Sequence, residues 1–67
     1  MKELSNLARN IKIIRKSKKL TQIELSTECN LSESSICQYE KLQRSPSIEA
    51  VILISKALKT DIGKLFK

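Results

Sequence analysis

Residues 21–40 have the sequence TQIELSTECNLSESSICQYE, a pattern that predicts two short helices joined by a tight turn. Thr21 and Glu24 form a capping-box pattern, because the threonine hydroxyl can accept the N–H of Glu24 while the Glu24 carboxylate accepts the N–H of Thr21. This pattern predicts a helix that runs to about Cys29. Asn30 follows where the chain must turn, and asparagine tolerates the left-handed conformation better than most residues.

Ser32 is a favourable N-cap, and it predicts a second helix over about residues 32–41. The periodicity of this helix separates an inward face from an outward one. The inward positions are Ile36, Tyr39 and Glu40. The outward stripe, spaced i, i+3, i+4 and i+7, consists of Ser34, Cys37, Gln38 and Lys41. Because this stripe lacks a large aliphatic residue, we expect it to face away from the core.

Three further helices are predicted around this pair. Helical spacing of apolar residues predicts a first helix over about residues 3–17. In the helix pair itself, Leu25 and Cys29 should be buried and Leu31 should fill the corner between the two helices. Ser47 should cap a fourth helix to about residue 58, and Thr60 a last one over 61–66. The expected inward residues of these three helices are Leu4, Leu7, Ala8, Ile11, Ile14, Ile48, Val51, Ile54, Leu58, Ile62 and Leu65. The prediction is a single all-α domain, residues 1–67.

The composition narrows the functional classes. Thirteen Lys and Arg against seven Asp and Glu give a net charge of +6, which favours a polyanionic partner, although solubility alone would also explain it. Two cysteines without histidine make a metal site improbable, and we expect Cys29 and Cys37 to be free thiols in a cytoplasmic protein. No segment has the apolar length of a signal peptide or membrane span, so no membrane partner is expected. No catalytic base accompanies either thiol, and an enzyme is not predicted.

An ordered set of residues at matching spacings resembles the phage repressor/Cro-like helix-turn-helix family, over about residues 7–66. The set comprises Ile11, Ile14, Arg15, Thr21-Gln22, Leu25, Asn30-Leu31-Ser32, Ile36, Glu40, Arg44-Ser45-Pro46-Ser47, Ala57-Leu58 and Leu65. The resemblance implies a compact five-helix bundle whose helices 2 and 3 form the helix-turn-helix, with Ser26 at the position where the helices cross and a small residue is needed. It also implies a sequence-specific transcriptional regulator that binds double-stranded DNA.

The resemblance assigns roles to individual residues. Those expected to contact bases in the major groove are Glu33, Ser34 and Gln38. Gln38 is the strongest of these, since a glutamine amide can bond both N6 and N7 of adenine. The candidate phosphate contacts are Gln22, Ser35, Cys37, Lys41, Arg44, Lys18 and Lys19. Glu33 could equally be an ordinary first-turn residue that stabilises the helix start, whereas for Gln22 a phosphate contact is favoured over that role. No cofactor and no small-molecule ligand are expected.

Two further expectations come from the resemblance. Arg15 and Glu40 should form a partly buried ion pair that fixes the third helix against the first. The family usually has glycine where this chain has Asn30, Leu42 and Lys59. Because a leucine disfavours positive φ, we expect the loop after the third helix to follow a different path.

The oligomeric state and the class of partner stay open at the level of sequence. Leu53 and Phe66 are apolar, fall outside the predicted core stripes and lie on the last two helices. The resemblance implies pairing through this region, so they are the candidate interface of a symmetric homodimer on a palindromic operator. The alternatives are an antitoxin-type module that binds a protein partner and regulates its own operon, and sequence-independent coating of nucleic acid.

Overall fold

The structure, a computed structural model, describes residues 2–67 and the side chains from residue 4 onward, and it is all-helical over that range. The helices are α1 (Lys2–Ser17), α2 (Gln22–Cys29), α3 (Glu33–Glu40), α4 (Ile48–Ala57) and α5 (Ile62–Leu65). α2 packs against α3 and α4, while α1 packs against α3 and α5, and α4 also contacts α5. The five predicted helices are therefore confirmed, each within about two residues of its expected ends.

One core joins all five helices. Its fully buried side chains come from every element, namely Ile11, Leu25, Cys29, Ile36, Ile54, Leu58 and Leu65. Leu31 lies in the turn between α2 and α3 and packs against this core from the outside. Ser26 is 5% exposed on α2, and its hydroxyl donates to the Ile23 carbonyl at 2.7 Å, so this small polar residue is satisfied within its own helix.

The helix starts follow the sequence signals closely. Thr21 and Glu24 make both bonds of the capping box, with Glu24 N–H donating to Thr21 Oγ1 at 3.0 Å and Thr21 N–H to Glu24 Oε1 at 2.8 Å. Ser32 accepts from the Ser35 N–H and Ser47 from the Ala50 N–H. The last cap was predicted wrongly: Asp61, not Thr60, is the N-cap of α5, and its side chain makes no capping bond.

Four helices end with the same hydrogen-bond pattern, and none of them uses glycine. Lys19, Asn30, Leu42 and Lys59 all have φ between 55° and 60°. After each of them the next N–H donates to a carbonyl five residues back, at 2.9–3.1 Å, which is the Schellman arrangement. The expectation of a different loop path after α3 is thus wrong, because Leu42 adopts the left-handed conformation itself, with φ 60°.

Two residues expected in the core lie at the surface. Ile48 is 65% exposed and Ile62 is 38% exposed. Both are the first residue of their helix. Helical spacing correctly aligned Ile48 with Val51, but a stripe at a helix end is buried only where another element covers it. α5 has four residues and buries Leu65 alone, so its periodicity carried little information.

Candidate nucleic-acid interface

A shallow depression lies on the outward face of α3. It has a volume of about 410 Å³, and its lining residues are Gln22, Glu33, Ser34, Cys37, Gln38 and Gln43. The three predicted base-contact residues are therefore brought together with one predicted phosphate contact from α2. The surface is polar and holds a single formal charge, the carboxylate of Glu33. Its side chains offer both donors and acceptors, which is the chemistry that base edges require.

Gln43 was missed as a member of this group. It stands just beyond the left-handed Leu42, and its N–H donates back to the Gln38 carbonyl at 2.9 Å. This bond returns the chain to the outward side of α3. The signal was present in the sequence, since Leu42 occupies a position where the family has glycine and therefore a left-handed turn.

A bidentate ion pair beneath α3 joins it to α1. Arg15 Nε donates to Glu40 Oε2 at 2.7 Å and Arg15 Nη2 to Glu40 Oε1 at 3.1 Å. The side chains are 8% and 3% exposed, respectively. Arg15 Nη1 also donates to the Leu20 carbonyl at 2.8 Å, so the guanidinium connects α1, the turn after it and α3. Burial of this kind is tolerated because each charge is paired and hydrogen-bonded.

Gln22 also belongs to this network, which sequence reasoning did not foresee. Its Nε2 donates to Glu40 Oε1 at 3.1 Å, and the residue is half-buried at the first position of α2. The carboxylate of Glu40, on α3, therefore accepts hydrogen bonds from Arg15 on α1 and from Gln22 on α2. No sequence pattern indicates a hydrogen bond between two residues that are 18 positions apart on separate helices.

Ser35 and Arg44 meet on a different side of α3. Arg44 Nη1 donates to Ser35 Oγ at 3.4 Å, and Ser32 Oγ donates to the same oxygen at 2.9 Å. The Arg44 guanidinium carbon lies 5.9 Å from the centroid of the Tyr39 ring, within reach of a cation–π contact. The loop arginine is thus held beside α3, and Ser35 is separated from the depression that Cys37 lines.

The candidate lysines belong to two different segments of the chain. Lys41 is exposed at the C-cap of α3. Lys18 and Lys19 are exposed in the turn after α1, and Lys18 lines a separate hollow that also includes Lys59. Of the candidate phosphate contacts, Gln22 and Cys37 therefore line the depression on α3. Arg44 lies beside another side of α3, and Lys18 and Lys19 lie in the turn after α1.

The candidate dimer residues are partly exposed on neighbouring helices. Leu53 on α4 is 40% exposed and Phe66, just after α5, is 36% exposed. The end of α5 is held by α1: Asn10 Nδ2 donates to the Leu65 carbonyl at 2.9 Å, and Asn6 Nδ2 to the Phe66 carbonyl at 3.4 Å. These amides satisfy carbonyls that the end of a helix leaves without partners.

The two cysteines have different surroundings and are not bonded to each other. Cys29 is 2% exposed, and burial raises the pKa of its thiol above the usual value. Cys37 is half-buried on the outward face of α3. Among the side chains that the structure describes, those of residues 4–67, Cys, Asp and Glu form no cluster of three or more suited to a metal ion. None of the helices within residues 2–67 is long and apolar enough to cross a membrane.

Comparison with known proteins identifies the family. Residues 11–65 match the family model described as "Helix-turn-helix". The chain is 32% identical over 59 residues to the immunity repressor protein of Bacillus phage phi105, covering 88% of this chain and 41% of that protein. It therefore spans about two fifths of the length of this relative.

Solved structures show the same fold. The restriction-modification controller protein C.AhdI from Aeromonas hydrophila is 24% identical, with a TM-score of 0.92 over 98% of this chain and 100% of that one. The restriction-modification controller protein C.Esp1396I is 33% identical, with a TM-score of 0.86 over 94% of this chain and 82% of that one. The chain belongs to the helix-turn-helix family, and it is of the phage repressor/Cro-like type.

Proposed function

We propose that this chain is a DNA-binding transcriptional regulator, acting in the cytoplasm, that binds a palindromic operator as a homodimer. The observation that carries the proposal is the depression on α3, where Ser34, Gln38, Gln22 and Gln43 present donors and acceptors on one outward surface. The inward face of the same helix is held by core packing and by the Arg15–Glu40 pair. A helix fixed on one face and polar on the other is suited to the major groove.

Base recognition is proposed for Gln38, Ser34 and Glu33. Gln38 can bond adenine through both ends of its amide, Ser34 discriminates weakly, and Glu33 could accept from cytosine N4. No arginine lines the depression, so the common bidentate contact to guanine does not come from this surface. Each half-site is therefore expected to be read modestly, and sequence preference should require two protomers, deformable DNA, or both.

Phosphate contacts are proposed for residues both inside and outside the depression. Gln22 stands at the start of α2, where the free backbone N–H groups of a helix end attract anions. Further candidates are Lys18, Lys19, Ser35, Cys37, Lys41 and Arg44. With about four contacts in each protomer, the logarithm of the binding constant should fall with the logarithm of salt concentration at a slope of roughly −7 for a dimer.

The proposed dimer forms through α4 and the end of the chain. Ile52, Leu53, Ile62 and Phe66 are 36–40% exposed on these adjacent elements. Two-fold pairing would bury the patch against itself and place two α3 helices on one operator. In analytical ultracentrifugation, Leu53→Glu should convert a dimer to a monomer. Ile13→Glu places the same charge at an exposed isoleucine of α1 and should leave the dimer intact. A monomeric wild-type protein at high concentration would rule the patch out.

The second candidate function is an antitoxin-type module. It is favoured by large apolar side chains that are exposed outside the proposed dimer patch, with exposures of 54–65%: Ile13, Ile23, Leu42 and Ile48. Such residues would suit a protein partner. An isolated chain that is unstable until a partner covers these residues would favour this candidate. A chain that folds stably alone and binds DNA fully would favour the regulator.

Selection of bound sequences from random DNA duplexes, with the complexes sized in the same experiment, tests the proposal. The expected outcome is a palindrome whose half-sites are about 10 bp apart, bound by two protomers. Recovery of protein-bound DNA without any common motif would instead indicate coating driven by charge, and would contradict a sequence-specific regulator.

A further inference from the structure

We infer that Glu40 has a second role besides pairing with Arg15: its carboxylate orients the Gln22 amide for contact with the DNA backbone. Glu40 is then a positioning residue, because it acts on DNA through Gln22. The inference rests on the proposed function, since it assigns the origin of one of the proposed phosphate contacts.

Hydrogen-bond chemistry decides which end of the amide faces the carboxylate. Glu40 Oε1 lies 3.1 Å from Gln22 Nε2 and 3.1 Å from Arg15 Nη2. An ionised carboxylate only accepts hydrogen bonds, so Gln22 must turn its NH₂ group toward Glu40. One N–H of that group is then used, and the other remains for an outside acceptor. A phosphate oxygen is likewise only an acceptor, and the second N–H is the group that it requires.

The carboxylate is rigid enough to set this orientation. Its other oxygen is held by Arg15 Nε at 2.7 Å, and the guanidinium is tied to the Leu20 carbonyl at 2.8 Å. Only 3% of the Glu40 side chain is exposed, so water competes weakly for its lone pairs. Gln22 is therefore ordered before DNA arrives, and less side-chain entropy is lost on binding.

The bond also links two kinds of DNA contact. Gln22 lies on α2, whereas Glu40 is the last residue of α3, the helix that carries Ser34 and Gln38. A phosphate held by Gln22 would therefore set the position of α3 through Glu40. Anchoring by α2 and base recognition by α3 are then parts of one connected unit, and loss of the bond should weaken both.

A first test uses the free protein and its three glutamines, Gln22, Gln38 and Gln43. In NMR spectra, the side-chain amide protons of Gln22 should exchange with water about tenfold more slowly than those of the exposed Gln43, and Glu40→Gln should abolish the difference. Identical exchange at Gln22 and Gln43 in the wild-type protein would overturn the inference. Because no DNA is present, this result is independent of the proposed function.

A second test measures the affinity for the selected duplex in a double-mutant cycle. Gln22→Ala and Glu40→Gln should each weaken binding about tenfold per half-site, the usual size of a hydrogen bond to a charged group. The double variant should be no weaker than either single one. Lys18→Ala is the control, because this lysine lies in the turn after α1 and takes no part in these hydrogen bonds, and its effect should multiply with that of Glu40→Gln. Multiplied effects of Gln22→Ala and Glu40→Gln would overturn the inference.

Glu40→Gln could unfold the protein, so a second background without the Arg15–Glu40 charges is needed. Arg15→Met combined with Glu40→Met replaces the ion pair by apolar side chains, a change that is often neutral for stability, and it removes the acceptor of Gln22. In that background Gln22→Ala should leave DNA affinity unchanged. A further tenfold loss there would show that Gln22 acts without Glu40. Failure of the wild-type protein to select any sequence would count against the proposed function instead.

Discussion

The two faces of α3 differ in what holds them. The inward face is tied to the rest of the molecule by the buried Ile36 and Tyr39 and by the ion pair of Glu40. The outward face, with Ser34, Cys37 and Gln38, lines an open depression. One eight-residue helix thus serves stability on one side and, in our proposal, recognition on the other. Substitutions on the inward face should therefore lower stability, and at Glu40 DNA affinity as well, whereas substitutions on the outward face should lower DNA affinity alone.

The largest effect is expected on the inward face. Glu40→Ala leaves the Arg15 guanidinium buried without its partner, which should lower the free energy of unfolding by about 3–5 kcal/mol. Urea denaturation measures the loss. Glu33→Ala removes an exposed carboxylate from the same helix and should cost no more than about 1 kcal/mol, the upper end of a helix-terminus charge effect. If Glu40→Ala leaves both stability and DNA binding unchanged, the ion pair does not hold α3.

On the outward face of α3, substitutions should weaken DNA binding and leave stability nearly unchanged. Gln38→Ala is expected to weaken binding to the selected duplex by about 1–3 kcal/mol per half-site, because a bidentate contact to a base is lost. The free energy of unfolding should change by less than about 0.5 kcal/mol, as for other surface substitutions. Fluorescence anisotropy and urea denaturation on the same sample check both. A stability loss that accounts for the weaker binding would contradict the division between the faces.

A smaller effect on stability is expected at Lys59, at the C-terminal end of α4. Lys59 has φ 55° at the end of α4, a conformation that costs non-glycine residues roughly 1–2 kcal/mol. Glycine removes this cost, but it also has a larger chain entropy in the unfolded state, which offsets part of the gain. Lys59→Gly should therefore stabilise the protein by about 0.5–1 kcal/mol. Urea denaturation would show the gain as a higher midpoint. Asn30→Gly is the control and should gain less, since asparagine already tolerates this conformation. A destabilised Lys59→Gly variant would show that the lysine makes a contact that matters.

The smallest effect on stability is expected for substitution of the half-buried thiol, Cys37, which differs from Cys29 in reactivity. Burial raises the pKa of the Cys29 thiol, so at neutral pH less of it is in the reactive thiolate form. Cys37 on the outward face should therefore be alkylated first by N-ethylmaleimide, which mass spectrometry of timed samples would show. The bound reagent should block DNA binding, whereas the small change Cys37→Ser should leave stability within about 0.5 kcal/mol. Faster labelling of Cys29 would mean that α2 opens readily.

Much of the fold could be predicted from the sequence, because the helix ends depend on interactions between residues close together in the chain. The capping box at Thr21 and the left-handed Asn30 are short-range signals, and both are present as predicted. Family membership also confirms that the chain is not an enzyme. The exposed Ile48 and Ile62 were predicted wrongly, because periodicity gives the direction of a side chain but not the element that covers it.

The candidate site was less accessible to sequence reasoning. The bond from Gln22 to Glu40 depends on how α2 crosses α3, a tertiary feature that residue types do not encode. Gln43 reaches the depression only because Leu42 adopts a positive φ, a conformation that leucine disfavours. The surrounding hydrogen bonds impose it, since Gln43 N–H and Leu42 N–H both donate back to α3, at 2.9 and 3.3 Å.

We propose that the outward face of α3 contacts DNA and that the rest of the surface does not read sequence. Titration of the ¹⁵N-labelled protein with its selected duplex, followed by NMR, tests this residue by residue. We expect the largest shifts in the side-chain amides of Gln22 and Gln38 and in the backbone amides of Ser34 and Gln43. The largest shifts at exposed positions of α4 and α5, with those of the α3 depression unchanged, would contradict it.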